Sequence, residues 1–215
     1  MKILEGTEAK AEATPAEIAD ALEALQKRGE REALRARLGC ALTVIGVLVS
    51  GVLLYLGQYY ILGVEGLAVL LIYHYATSLD PELADDPRLE FAVALMRAFE
   101  AHPKVGDELN FWMELNAYDM EIPDERSTID AGCVRSMWKQ DWFRCTFDWG
   151  ERERTLEIRL EAVQEQDGIQ VAKSTETHFL TLRPGKGALE SDGIPDPTTT
   201  ITWLRDHLTP RADVR

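Results

Sequence analysis

Between Leu38 and Leu79 only two side chains can carry charge near neutral pH, Glu65 and His74. The first uncharged run, Leu38 to Val64, is 27 residues long. Coiled as a helix it would measure about 40 Å, against roughly 30 Å for the hydrocarbon core of a bilayer. The whole stretch is too long for one crossing and about right for two. It is therefore read as a two-span transmembrane helical hairpin over residues 38–79. Span one is drawn from Leu38 to Leu56 and span two from Tyr59 to Ala76, with the turn at Gly57-Gln58. Tyr59 and Tyr60 suit the far interface, Tyr73 and Tyr75 the near one. A long buried hairpin in a soluble protein is the competing reading. Soluble helices normally keep one polar face, and these segments have none.

The flanks orient the hairpin. Lys27, Arg28, Arg31, Arg35 and Arg37 precede the first span, whereas Asp80, Glu82, Asp85 and Asp86 follow the second. Basic residues close to a span mark the cytoplasmic side. A hairpin returns the chain to the side it started from, so both termini are expected in the cytoplasm of a cell with the hairpin in its inner membrane. The 37 mostly polar residues before the first span do not resemble a signal peptide, whose apolar core follows a short basic region at once.

Before the spans, residues 1–13 are rich in Glu, Ala and Lys and are expected to be flexible. Thr14-Pro15-Ala16-Glu17 reads as a capping box opening a cytoplasmic helix over residues 14–37. After the spans, residues 80–215 form one soluble α+β domain. Asp86-Pro87 starts a helix to about Ala101, with Leu89, Val93, Met96 and Phe99 on its apolar face. His102-Pro103 ends it, since a residue before proline avoids helical angles. The period then changes to two: Leu109, Phe111, Met113, Leu115 and Ala117 form one strand, Phe143 to Trp149 a second, and Leu156 to Ala162 a third. Residues 169–182 form a fourth, with hairpin turns between the last three. Asp119 to Arg135 and Arg183 to Pro195 read as loops. Asp196-Pro197 opens a final helix to about Leu208. The expected domain is thus an antiparallel β-meander of about four strands packed on one or two helices.

Charge narrows the partners. Residues 80–215 hold 28 acidic and 16 basic side chains, a net of −12. Such a surface repels phosphate backbones, so no nucleic-acid partner is expected. Of the three cysteines, Cys40 lies in the first span, and Cys133 and Cys145 are twelve apart without a CxxC or CxxH neighbour, so neither a zinc site nor a disulfide framework is indicated. No nucleotide fingerprint, GxSxG elbow or HExxH helix occurs, and no cofactor is expected. Arg183-Pro184-Gly185-Lys186-Gly187 lacks P-loop spacing and reads as a turn. Trp138, Trp142 and Trp149 could stack a ring, though strand tryptophans are more often core, with Trp138 and Trp142 alternatively at the sheet edge or against lipid. Lys173, Thr175, Thr177 and His178 form no nucleophile–base pair.

The candidate positions lie in the membrane segment. Glu65 is an ionisable group inside a span, which costs roughly 2.5–3.5 kcal/mol on insertion scales and is a functional hypothesis by default, set against a protonated structural carboxyl or one near the far interface. With the turn at Gly57-Gln58, Glu65 stands level with Ser50, and a hydrogen bond between them would satisfy both. Gly39, Thr43, Gly46, Ser50 and Gly57 make a small-residue stripe that marks a helix–helix interface. Gly63 and Gly66 of the second span, with Ala68, are the expected counterparts, and a neighbouring subunit is the other possible partner. Two spans alone bury little, so a homo-oligomer or association with other membrane subunits is expected, besides contact with membrane lipid. Together these features suggest a non-enzymatic accessory or scaffold subunit of a membrane complex. The alternative is a ligand- or signal-responsive oligomeric effector, a pore or gate with Glu65 in the membrane path.

Overall fold

The computed structural model of the chain describes residues 8–57, 59–77, 86–115, 122–130, 133–150, 152–167, 170–184 and 187–208. Its elements run β1 (Glu8–Ala13), α1 (Pro15–Tyr55), α2 (Tyr59–Thr77), α3 (Pro87–Glu100), β2 (Val105–Glu114), β3 (Glu125–Asp130), β4 (Cys133–Trp149), β5 (Arg152–Asp167), β6 (Gln170–Arg183), β7 (Gly187–Asp192) and α4 (Pro197–Leu208). The chain is α+β, with a long, partly apolar helix and an antiparallel sheet. It divides into two compact units: Glu23–Leu89, and the residues through Leu22 together with Glu90 onward.

The sheet has seven strands rather than about four. Six follow the order β1-β2-β4-β5-β6-β7, and β3 pairs with β4 off that path. β4 is long enough to hold two partners end to end: β3 takes Cys133–Met137 and β2 takes Phe143–Trp149, while β5 pairs along its whole length. Three expectations are corrected. Residues 8–13, expected to be flexible, form edge strand β1, paired from Glu8 opposite Glu114 to Ala13 opposite Leu109. Ala9, Ala11 and Ala13 are buried and Lys10 and Glu12 exposed, so a strict two-residue period was present under a helix-like composition. The stretch read as a loop from Asp119 to Arg135 contains β3 and the start of β4, and that from Arg183 to Pro195 contains β7.

A β-bulge explains why the first half of β4 was not legible. Asp141 faces Arg159 and Phe143 faces Ile158, so Trp142 is the extra residue. Trp138 and Gln140 are buried before it, Phe143, Cys145 and Phe147 after it. The insertion switches phase and thereby keeps both halves turned to one face.

That face is the core. α3 lays Phe91 edge-on against Trp142 and Phe143, with centroids 5.8 and 5.9 Å apart, and Phe99 against Phe147 at 4.8 Å. The opening turns of α1 bury Ile18, Ala19 and Leu22, and α4 buries Thr200, Leu204 and Leu208. Arg97 ties α3 to α1 through Asp20 at 2.6 Å. The helix starts follow their sequence signals. Thr14 Oγ1 accepts from the Glu17 N–H and the Thr14 N–H donates to Glu17 Oε2, both at 3.2 Å, which is the capping box. Asp86 and Asp196 cap α3 and α4 by accepting from the Arg88 and Thr199 N–H groups. The latter contacts hold the Asp196 carboxyl below its usual range.

In the second unit the main correction concerns α1. The cytoplasmic helix expected to end at residue 37 and the first apolar segment are one uninterrupted helix of 41 residues, which is about 61 Å. Gly29 does not break it, because a single glycine weakens a helix interior by only about 1 kcal/mol and leaves the hydrogen-bond ladder intact. Two residues past its end at Tyr55 stands Gly57, whose φ of 71° is the left-handed conformation that favours glycine after a helix.

Candidate functional site

The apolar end of α1 and helix α2 lie side by side and antiparallel. Their contacts fall at pairs of residues equidistant from the turn. A methyl group on Gly39 would sit 2.6 Å from Ala76 Cβ, and one on Gly46 would overlap Val69 Cγ2. Near the turn, Ser50 Oγ donates to Glu65 Oε2 at 2.8 Å. The structure therefore brings together Gly39, Gly46, Ser50 and Glu65. A hydroxyl donor offsets part of the cost of keeping a carboxyl out of water. The geometry makes Glu65 a cross-helix tether.

The remaining predicted interface positions behave differently. The Thr43 hydroxyl donates to the Gly39 carbonyl at 2.9 Å, so it serves its own helix. Gly57 forms the turn and has no atom within 4 Å of a built Cβ, and Gly66 likewise has open space beside it. Neither packs between the helices, contrary to expectation. The reason is register: equidistance from the turn sets Ala76 and Val69, not Gly66, opposite Gly39 and Gly46. The surroundings of Gly63 lie outside the described residues.

Around this seam, most apolar side chains among the described residues are exposed. Only 6% of the most apolar 18-residue window of α1 is buried, and that helix is long and apolar enough to cross a membrane. Leu48 is 67% exposed and Val64 75%. α2 carries a shorter described apolar stretch, Val64–Ala76.

The sheet unit offers a polar face and a sealed core. On the face away from α3, Arg144 contacts Glu157 at 3.0 Å, and Arg183 reaches the same carboxylate at 3.2 Å. Arg144 also stands over the Trp112 ring, 5.9 Å from its centroid. Arg144 and Trp112, with Lys10, Glu12, Asn110 and Asp141, border a broad open groove of about 880 Å³. The groove's cations and carboxylates are interspersed, so it presents no single-sign field for a charged ligand.

The three tryptophans expected as either platform or core are resolved individually. Trp142 is fully buried and Trp138 nearly so, which removes both from the sheet edge and from lipid. Trp149 stacks on His102 at 4.3 Å. Burial, and secondarily the neighbouring Lys104, lowers the His102 pKa from its ordinary value. The Trp142 Nε1–H donates to His178 Nδ1 at 3.1 Å inside the core, a pair the sequence did not signal because its members are 36 residues apart. Among the described residues no cluster of three or more His, Cys, Asp or Glu side chains could hold a metal ion. Of the glycine-rich turn, Gly185 and Lys186 lie outside the described residues.

Comparison of the chain with protein-family models, with curated proteins and with solved structures yields no match.

Proposed function

We propose that this chain is a two-span membrane protein, with both termini in the cytoplasm, that serves as a non-enzymatic accessory or scaffold subunit of a membrane complex. The observation that carries the membrane half of this reading is the lack of cover on the apolar helix pair. Val44, Leu48, Val52 and Leu54 of α1, with Val64, Leu67, Leu70 and Leu71 of α2, are all exposed large apolar side chains. Water would oppose an apolar surface of that extent, and a lipid core would accept it. α2, at 19 residues, is about 28 Å long and matches a bilayer core of roughly 30 Å. The same-side topology follows from the short turn after Gly57 and from the five basic residues that precede the apolar end of α1.

The subunit half rests on how the polar groups are used. The one carboxyl of the membrane segment is engaged by Ser50, which supports a packing role over a place in a conduit. An anchor of two helices leaves most of its apolar surface free for other spans. The test is native-scale purification from membranes in mild detergent, followed by crosslinking. A defined higher-order assembly, of this chain or with other membrane subunits, is expected. A monomer with nothing bound would contradict the subunit reading. Vesicle leakage abolished by Glu65→Leu would replace it with the pore.

A further inference from the structure

The seam between α1 and α2 opens, at the end away from the turn, into an apolar groove of about 350 Å³. Leu38 and Leu42 form one wall and Leu71, Ile72 and Tyr75 the other, with Gly39 at its floor. Arg35 lines the same groove and is its one charged group among the described residues. Position 35 lies one helical turn before Gly39, toward the basic flank. Arg31 is a further turn back, and residues four apart share a helix face. The face thus runs from two guanidinium groups to an apolar trough within about 10 Å along the helix axis.

The cations of this flank are not equivalent. Arg28 is held by Glu32 at 2.8 Å, and Lys27 lies 3.8 Å from Glu23. Among the described residues no acidic partner stands against Arg31, Arg35 or Arg37. Arg37 is two residues from Arg35, which puts it on the opposite side of the helix, away from the groove. An arginine with free donors, at the depth where a membrane's headgroups begin, offers a planar fork suited to phosphate oxygens.

We propose that this groove is a binding site for an anionic phospholipid, with one acyl chain laid between Leu42 and Leu71 and the headgroup phosphate on Arg35, supported by Arg31. The occupant follows from the pairing of an apolar trough with a cationic mouth. A second apolar helix would leave the guanidinium unpaired, and a zwitterionic headgroup would set its own cation against Arg35 and Arg31, so a net anionic headgroup is favoured. The site deepens the membrane reading above and rests on it.

The full-length chain is reconstituted into vesicles of phosphatidylcholine containing a minor fraction of phosphatidylglycerol, then extracted in mild detergent. The retained lipid is quantified by mass spectrometry. Phosphatidylglycerol is expected to be enriched about fivefold over its mole fraction, the factor that one cation near an anionic headgroup supplies. Arg35→Gln should abolish the enrichment and Arg35→Lys should keep part of it. Leu42→Trp, which fills the trough without changing charge, should also reduce it, while Arg37→Gln should leave it intact. Retention in proportion to the vesicle composition would overturn the site, as would equal loss in Arg37→Gln. Incorporation into vesicles with no enrichment would overturn the lipid site alone. Failure to enter the vesicles at all would overturn both it and the membrane reading.

Discussion

Gly46→Leu is expected to separate α1 from α2, and Gly39→Ala to weaken their pairing, whereas Gly51→Ala and Gly66→Ala leave it unchanged. At Gly39 the opposing atoms are Ala76 Cβ at 2.6 Å and Ala76 Cα at 3.5 Å, so even one methyl group meets backbone that cannot turn aside. At Gly46 the opposing atom belongs to Val69, a β-branched side chain with little rotamer freedom in a helix. Overpacking of this kind costs about 1–3 kcal/mol for a small addition, and a leucine at position 46 should exceed that range. No atom lies within 4 Å of a Cβ at Gly51 or Gly66. Thermal unfolding in detergent, with spin labels on positions 42 and 72 reporting helix separation, checks the series. Because the Gly46 clash is with one side chain, Gly46→Ala should be rescued by Val69→Ala, while Gly39→Ala has no equivalent rescue. Equal destabilisation by all four glycine replacements would point to general loss of helix flexibility and not to a packed seam.

The second large effect is expected in the sheet unit. Trp142→Ala should remove about 3–5 kcal/mol, the usual range for truncating a buried aromatic side chain. That is a large part of the roughly 5–15 kcal/mol by which a domain is stable. Trp142 is fully buried, contacts Phe91, Phe143 and His178, and donates its indole hydrogen to His178. Trp142→Phe separates these terms. It keeps an aromatic ring but leaves a buried imidazole without its donor, at a cost of about 1–3 kcal/mol. Deleting residue 142 is a harsher test, because it removes the bulge. Trp138 and Gln140 would then turn to the polar face, and Lys139 and Asp141 to the core. Urea unfolding of the full chain, followed by tryptophan fluorescence and far-UV circular dichroism, should rank the variants deletion, Ala, Phe in falling severity. Arg135→Ala, at an exposed position of β4, serves as a control within about 0.5 kcal/mol.

The sequence carried local signals well and pairing signals poorly. Thr14 to Glu17, Asp86-Pro87 and Asp196-Pro197 marked three helix starts because capping chemistry is local. The level of Ser50 against Glu65 followed from the turn position alone. What was missed depended on distant partners. β1 is built on alanines, which are depleted in strands, and it exists because β2 offers it an edge. β3 and β7 are short outer strands with few buried positions, so neither shows a clear apolar alternation. The first half of β4 was hidden by one inserted tryptophan. Gly57 and Gly66 illustrate a further limit. A small residue shows where two helices could approach, but register decides where they do.

The proposed function requires that the apolar helix pair cross a membrane twice. The direct measurement is labelling with a membrane-impermeant maleimide in sealed vesicles of known orientation. Cys40 and Cys133 are replaced by serine. Cys145 can stay, since it is fully buried and burial pushes its thiol well above the ordinary range. Single cysteines are then placed at Gln58, at Leu48 and at Glu12. Expected is labelling of position 58 from the side opposite to that which labels position 12, with position 48 unlabelled from either side. Labelling of positions 58 and 12 from the same side, or of position 48 by the impermeant reagent, would contradict two crossings.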